Sequence, residues 1–80
     1  MKQDEVMQRL LTFFREEWQA GDVSAETELL RELITDSLRL VTLALFMEQS
    51  FGVRFAPTDM NPDLFHSPAS LARFIVEKSP

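Results

Sequence analysis

The sequence predicts an all-α protein, a small four-helix bundle of three main helices and one short helix. Three observations carry that prediction. Apolar residues recur at spacings of three and four in three separate segments. Helix stop and start residues stand at the edges of those segments, with Gly21, Phe51-Gly52 and Ser67-Pro68 the clearest. The one alternating stretch, Val53-Arg54-Phe55, is too short to make a sheet and has no second strand to pair with.

The first helix is expected over about residues 3–19. Val6, Leu10, Phe13 and Phe14, with Met7, Leu11 and Trp18, form one apolar stripe. Gly21 offers a left-handed stop. Residues 21–36 form a long connection in which Leu29, Leu30, Leu33 and Ile34 are expected to pin the chain to the core. A middle helix is expected over 37–51, with Thr35, Asp36 and Ser37 as N-cap candidates and Phe51-Gly52 as its end. Pro57, Asn61 and Pro62 allow one or two short turns over 57–65. Ser67 as cap and Pro68 as first helical residue open the last helix, whose buried face is Leu71, Ala72, Ile75 and Val76. Lys78 near its end suits the helix dipole.

Eighty residues allow one small domain, spanning 1–80. A domain of this size buries only about 60% of its unfolded-chain surface, so its core is thin. The chain has no Cys and one His, which excludes disulfides and leaves no cluster for a metal. No apolar run approaches the roughly 18 residues of a membrane span. The opening Met-Lys-Gln-Asp-Glu has no apolar core of a signal peptide, so a cytoplasmic protein is expected. Beginning at Met1 and ending just after the last helix, it reads as a free-standing protein, and an excised domain of a larger synthase would read the same. The net charge of −5 lies wholly in residues 1–36, with nine acids against four bases; residues 37–80 hold four of each. A nucleic-acid partner, and with it a helix-turn-helix regulator, is a poor match to that balance.

The middle helix is too apolar for one face. Eight of the ten residues from Leu38 to Met47 are apolar. One stripe passes through Leu40, Leu43, Met47 and Phe51. A second passes through Ser37, Val41 and Leu45, with Glu48 at its far end; steps of four residues drift by only about 40°. Either the helix is central and buried nearly all round, or the second stripe is an exposed docking face headed by a hydroxyl. Ser37 is then either the N-cap or a modified residue, since free N–H groups and the positive end of the dipole favour a phosphate there.

Asp36-Ser37-Leu38 at a helix start resembles the Asp-Ser-Leu signature of the acyl carrier protein family. The resemblance covers essentially the whole chain. Thr27-Glu28-Leu29-Leu30 stands where such carriers have a Thr-x-Leu segment. Glu48-Gln49-Ser50-Phe51-Gly52-Val53 is similar to their helix exit. Asn61-Pro62-Asp63-Leu64-Phe65 and Ser67-Pro68-Ala69-Ser70-Leu71-Ala72 resemble their short third helix and fourth helix. The resemblance implies a bundle of acyl-carrier type and a 4′-phosphopantetheine arm on Ser37, attached from coenzyme A by a separate Mg²⁺-dependent transferase. The arm's thiol would hold acyl or aminoacyl cargo as a thioester, so the chain would be a carrier and not an enzyme. Its expected partners are that transferase, a loading enzyme and downstream synthase or transferase enzymes, with no nucleic acid and no membrane. Matched by position, Asp36, Leu38, Val41 and Leu45 would face them; Asp36 would equally serve as a cap.

Three departures from the family pattern bear on the reading. Leu33-Ile34-Thr35 stands where carriers usually have a Gly. Arg39 and Thr42 stand where many have acids, so electrostatic steering should be weaker and apolar contact more important. Ala56-Pro57-Thr58-Asp59-Met60-Asn61 replaces an acidic third-helix region. They suit a dedicated pathway, such as polyketide, nonribosomal peptide or aminoacyl transfer, better than housekeeping fatty-acid synthesis. The alternative is an unmodified helical interaction module using Val41 and Leu45.

Other residues read as structural. His66 is expected at the surface, without the strand-turn elbow that a Ser-His-Asp site would need. Glu16-Glu17 reads as a solvated face. Phe13, Phe14 and Trp18 read as core packing, with lining of an acyl pocket, joined by Phe46 and Met47, as the minority reading.

Overall fold

The computed structural model describes residues 2–78, and its first helix, α1 (Gln3–Glu17), forms where the apolar stripe predicts one. Val6, Leu10, Leu11, Phe13 and Phe14 are buried, while Asp4 and Glu5 in the first turn and Arg15 in the last complement the helix dipole. The helix stops at Glu17 rather than 19. The left-handed residue is Gln19, at φ 55°, and not Gly21. The reason lies in packing. Trp18 closes the helix through its N–H to the Phe14 carbonyl (3.2 Å), and the Ala20 N–H returns to that same carbonyl at 3.1 Å, which carries Ala20 into the core. These contacts offset the cost of about 1–2 kcal/mol for a side-chain-bearing residue in that conformation.

The connection after α1 contains a short helix, α2 (Leu29–Glu32), where a pinned loop is expected. Leu29 and Ile34 are buried and Leu33 half-buried, but Leu30 is 42% exposed, so three of the four expected anchors reach the core. The Ala69 N–H bonds the Ala25 carbonyl at 3.0 Å and ties this connection to the start of the last helix.

Helix α3 (Ser37–Phe51) has the expected bounds. It ends on Gly52 at φ 71°, whose N–H bonds the Glu48 carbonyl. Val53–Phe55 then follows without regular structure, and among the described residues no strand forms. Phe55 stacks on Phe74 (ring centroids 5.0 Å apart), and its N–H donates to Glu48 Oε2 at 3.3 Å. Residues 57–65 wind as two 3₁₀ turns, Pro57–Asp59 and Leu64–His66, so the short α-helix of the bundle precedes α3 instead of following it. Pro57 and Pro62 explain this: each removes a donor and blocks helix continuation.

The last helix, α4 (Pro68–Lys78), starts on a reciprocal cap. The Ser70 N–H donates to Ser67 Oγ (3.2 Å) and the Ser67 N–H donates to Ser70 Oγ (3.0 Å). Leu71, Ala72 and Ile75 are buried against α1, and Val76 is half-buried. The architecture is an all-α four-helix bundle whose core joins Val6, Leu10 and Phe14 to Leu43, Met47, Leu71 and Ile75, with Leu29 and Phe65 from the connections.

Gly52 and Gly21 make a controlled pair. A Cβ would meet nothing within 4 Å at either, yet only Gly52 has a positive φ. Gly52→Ala is expected to cost about 1 kcal/mol or more and to lower Tm by roughly 4–8 °C, whereas Gly21→Ala should leave Tm unchanged or slightly raised. Thermal melts of the two variants check this.

Candidate functional site

The start of α3 is where the sequence-predicted residues meet. Asp36 is in extended backbone (φ −155°, ψ 171°), and its Oδ1 accepts the Arg39 N–H at 2.8 Å. The cap is therefore Asp36, and neither Thr35 nor Ser37 serves as one. Ser37 becomes the first helical residue. It is exposed, and among the described residues no group hydrogen-bonds its hydroxyl. The first intrahelical rung is the Leu40 N–H to the Asp36 carbonyl (3.3 Å), so the N–H groups of Ser37 and Leu38 have no acceptor within the helix. Asp36 is held on the Arg39 side, which leaves those two donors open beside the Ser37 oxygen. The two N–H groups without an intrahelical acceptor and the positive end of the helix dipole favour a phosphate ester at this helix start. The residues present thus suit a phosphodiester.

An apolar stripe runs from this hydroxyl. Leu38 is 74% exposed, and Val41 and Leu45 are each 50% exposed. Leu43, Met47 and Phe51 on the opposite side are buried, and Leu40 is half-buried. The choice left open by periodicity is thereby decided: α3 is buried along one stripe only. The exposed face carries almost no charge. No acid lies in the first turn of α3 and no base in its last. Thr42 bonds the Leu38 carbonyl through its hydroxyl at 2.8 Å. Arg39 is drawn inward, where its guanidinium donates to the Leu33 carbonyl (2.8 Å) and lies 5.0 Å from the centroid of the Trp18 ring.

Two surface grooves lie away from Ser37. One, about 520 Å³, lies between α1 and α3 and is lined by Gln8, Arg9, Thr12, Phe13, Glu16, Glu17 and Phe46. Its floor is the Phe13–Phe46 stack, with ring centroids 4.2 Å apart. The other, about 460 Å³, follows the exit of α3 from Glu48 to Phe55. Met47 is fully buried and lines neither. Trp18 packs against Phe13 and Phe14, with centroids 5.3 and 5.5 Å away, as core packing predicts. Glu16 and Glu17 are exposed, and so is His66, at the end of the second 3₁₀ turn. Among the described residues no three metal-binding side chains cluster, and no helix is long and apolar enough to cross a membrane.

Sequence reasoning missed two features. The Glu48 carboxylate receives the Phe55 N–H instead of ending an exposed stripe. The inward contacts of Arg39 were also unforeseen; Arg39 was legible only as a lost acid. No local pattern pairs it with a Trp at the end of another helix. No protein-family model matches the chain, and neither does any curated protein.

Proposed function

We propose that this chain is a carrier that holds acyl or aminoacyl intermediates as thioesters on a 4′-phosphopantetheine arm joined to Ser37. The observation that carries the reading is the unbonded, exposed Ser37 hydroxyl, one residue after the capping Asp36 and at the head of an exposed apolar stripe. Separation of the two roles matters. Had Ser37 been the cap, its oxygen would have been occupied by a backbone donor. As the first helical residue it is presented outward, next to two open N–H groups. When attached, the arm supplies a thiol, which the Cys-free chain lacks, and its tether raises the local concentration of cargo.

Attachment is a phosphoryl transfer in which Ser37 Oγ attacks the pyrophosphate phosphorus on the pantetheine side of coenzyme A. A new O–P bond forms, the P–O bond to the nucleotide breaks, and adenosine 3′,5′-bisphosphate leaves. The hydroxyl proton passes to a base of the transferase, which also brings the Mg²⁺. Asp36 holds the helix start, and Leu38, Val41 and Leu45 form the face that the transferase, the loading enzyme and downstream synthase or transferase enzymes engage. With Arg39 turned inward, that face favours apolar contact over charge steering, which suits a dedicated pathway of polyketide, nonribosomal peptide or aminoacyl transfer.

The test is intact mass after incubation with coenzyme A, Mg²⁺ and a broad-specificity phosphopantetheinyl transferase. One added arm per chain is expected. No gain with several transferases, on protein shown to be folded, would overturn the reading. It would leave the alternative that the same exposed stripe supports, an unmodified interaction module. Leu45→Asp probes the stripe itself. Leu45 is half exposed, so the stability loss should stay at about 1–2 kcal/mol and leave the chain folded. Transfer to Ser37 should slow roughly tenfold in kcat/KM, equivalent to about 1–2 kcal/mol of lost docking. Steady-state kinetics on the two proteins, with melts alongside, checks it.

A further inference from the structure

The geometry points to Arg39 as the positioning residue for Ser37: one guanidinium joins the ends of three elements and fixes the segment on which the Ser37 hydroxyl is presented. The inference rests on the carrier reading for what Ser37 does, though not for the contact itself.

The Leu33 carbonyl, which accepts from the Arg39 guanidinium at 2.8 Å, belongs to the residue that ends α2. Trp18, whose ring lies under the guanidinium, is the residue that ends α1, and it is anchored in turn by Phe13 and Phe14. Arg39 itself sits in the first turn of α3, where its backbone N–H holds the Asp36 carboxylate. The segment Leu33–Asp36 is therefore gripped on both sides by one residue, through the side chain at its start and the backbone at its end. Within the segment, Ile34 plugs into the core, while Thr35 and Asp36 are exposed. Nothing else among the hydrogen bonds of the described residues links Asp36 to the rest of the bundle through a side chain.

The chemistry of the grip requires a cation with directional donors. Its two partners are a carbonyl and a ring face, neither of them anionic, and among the described residues the only salt bridge is Arg31–Glu28. Arg39 is half-buried and pairs with no carboxylate among the described residues, so this is not an incidental surface ion pair. A carboxylate at position 39 could not donate to the Leu33 carbonyl and would be repelled by the ring face. A guanidinium does both at once because it is planar.

Such a grip acts on presentation. If the transferase binds only the ordered start of α3, loosening that start lowers the competent fraction and raises the apparent KM by the same factor, while kcat for the bound protein stays put. A general loss of stability would not do this, because a chain still folded at the assay temperature has a full competent fraction.

The experiment compares wild type, Arg39→Ala and Arg39→Lys in transferase kinetics and in amide hydrogen exchange of the unmodified proteins. Arg39→Ala is expected to raise KM about tenfold with kcat within about twofold of wild type. The backbone amide at position 39 should exchange at least about tenfold faster, with Leu71 and Ile75 unchanged. Arg39→Lys, which keeps a donor and a cation but loses the planar fork, should restore part of the KM. A wild-type KM in Arg39→Ala, equal acceleration of exchange at Ile75, or no rescue by Lys would each overturn the inference. If the wild type accepts no arm, the carrier reading fails and the exchange data alone decide the grip: local acceleration upholds it, and unchanged protection ends it.

Discussion

Ser37→Ala should gain no mass with coenzyme A, Mg²⁺ and transferase, and yet melt within about 0.5 kcal/mol of wild type. The first half follows from loss of the hydroxyl that would carry the arm, the second from Asp36 being the cap. Replacing a capping Ser by Ala costs about 0.5–2 kcal/mol, and a residual defect in modification could then be blamed on a frayed helix. Here the cap is the Asp36 carboxylate on the Arg39 N–H, and the Ser37 oxygen bonds no described residue. Removing it takes away only the hydroxyl that the carrier reading makes the nucleophile, and Ala is a better helix former than Ser at an exposed position. Asp36→Ala gives the complementary result: a stability loss of about 1 kcal/mol with the hydroxyl retained. Intact mass and thermal melts on both variants separate attachment from capping. A mass gain retained by Ser37→Ala would move the arm to another hydroxyl and end the assignment of Ser37.

The parts of this fold that were legible in the sequence are those with a signal on a few adjacent residues. The bounds of α3 follow from a capping cluster at one end and Gly52 at the other. The start of α4 follows from Ser67-Pro68, and the structure adds only that Ser70 returns the bond. The parts that were not legible depend on what lies across space. Helix α2 is one turn long, too short for any period to show. The left-handed residue after α1 is Gln19 because Ala20 must enter the core there, and nothing local to Gln19 encodes that. In α3 both stripes were apolar enough to be buried, and only the placement of α1 and α4 chose between them. At the helix start, Asp36 and Ser37 are adjacent residues that both favour capping. The structure separates them by one position, and the candidate site depends on that position. Arg39 shows the limit most plainly. Its type was visible as a departure from an acidic pattern, but its effect on the site comes from a carbonyl six residues back and a ring twenty-one residues back.

Phe14→Ala should have the largest effect on stability, and it serves as the counterpart to Ser37→Ala. Phe14 is fully buried, and its ring lies 5.7 Å from Phe13 and 5.5 Å from Trp18. Truncating a buried Phe costs about 3–5 kcal/mol, through lost transfer energy and the cavity left behind. At roughly 0.05–0.15 kcal/mol per residue, a chain of this length holds about 4–12 kcal/mol in all. The variant should therefore lose at least a quarter of its stability and as much as all of it, with Tm falling by about 12 °C or more. Phe14 reaches the start of α3 only through Trp18 under the Arg39 guanidinium, a route that would raise KM, so a loss of modification at saturating protein must come through the unfolded fraction. Sucrose, or a lower assay temperature above the range of cold denaturation, should then recover modification along with the fold. Neither would restore it in Ser37→Ala. A Phe14→Ala chain that melts like wild type would mean that the aromatic cluster at the end of α1 does not hold the bundle as described. One that is folded but unmodified would place part of the docking face on α1.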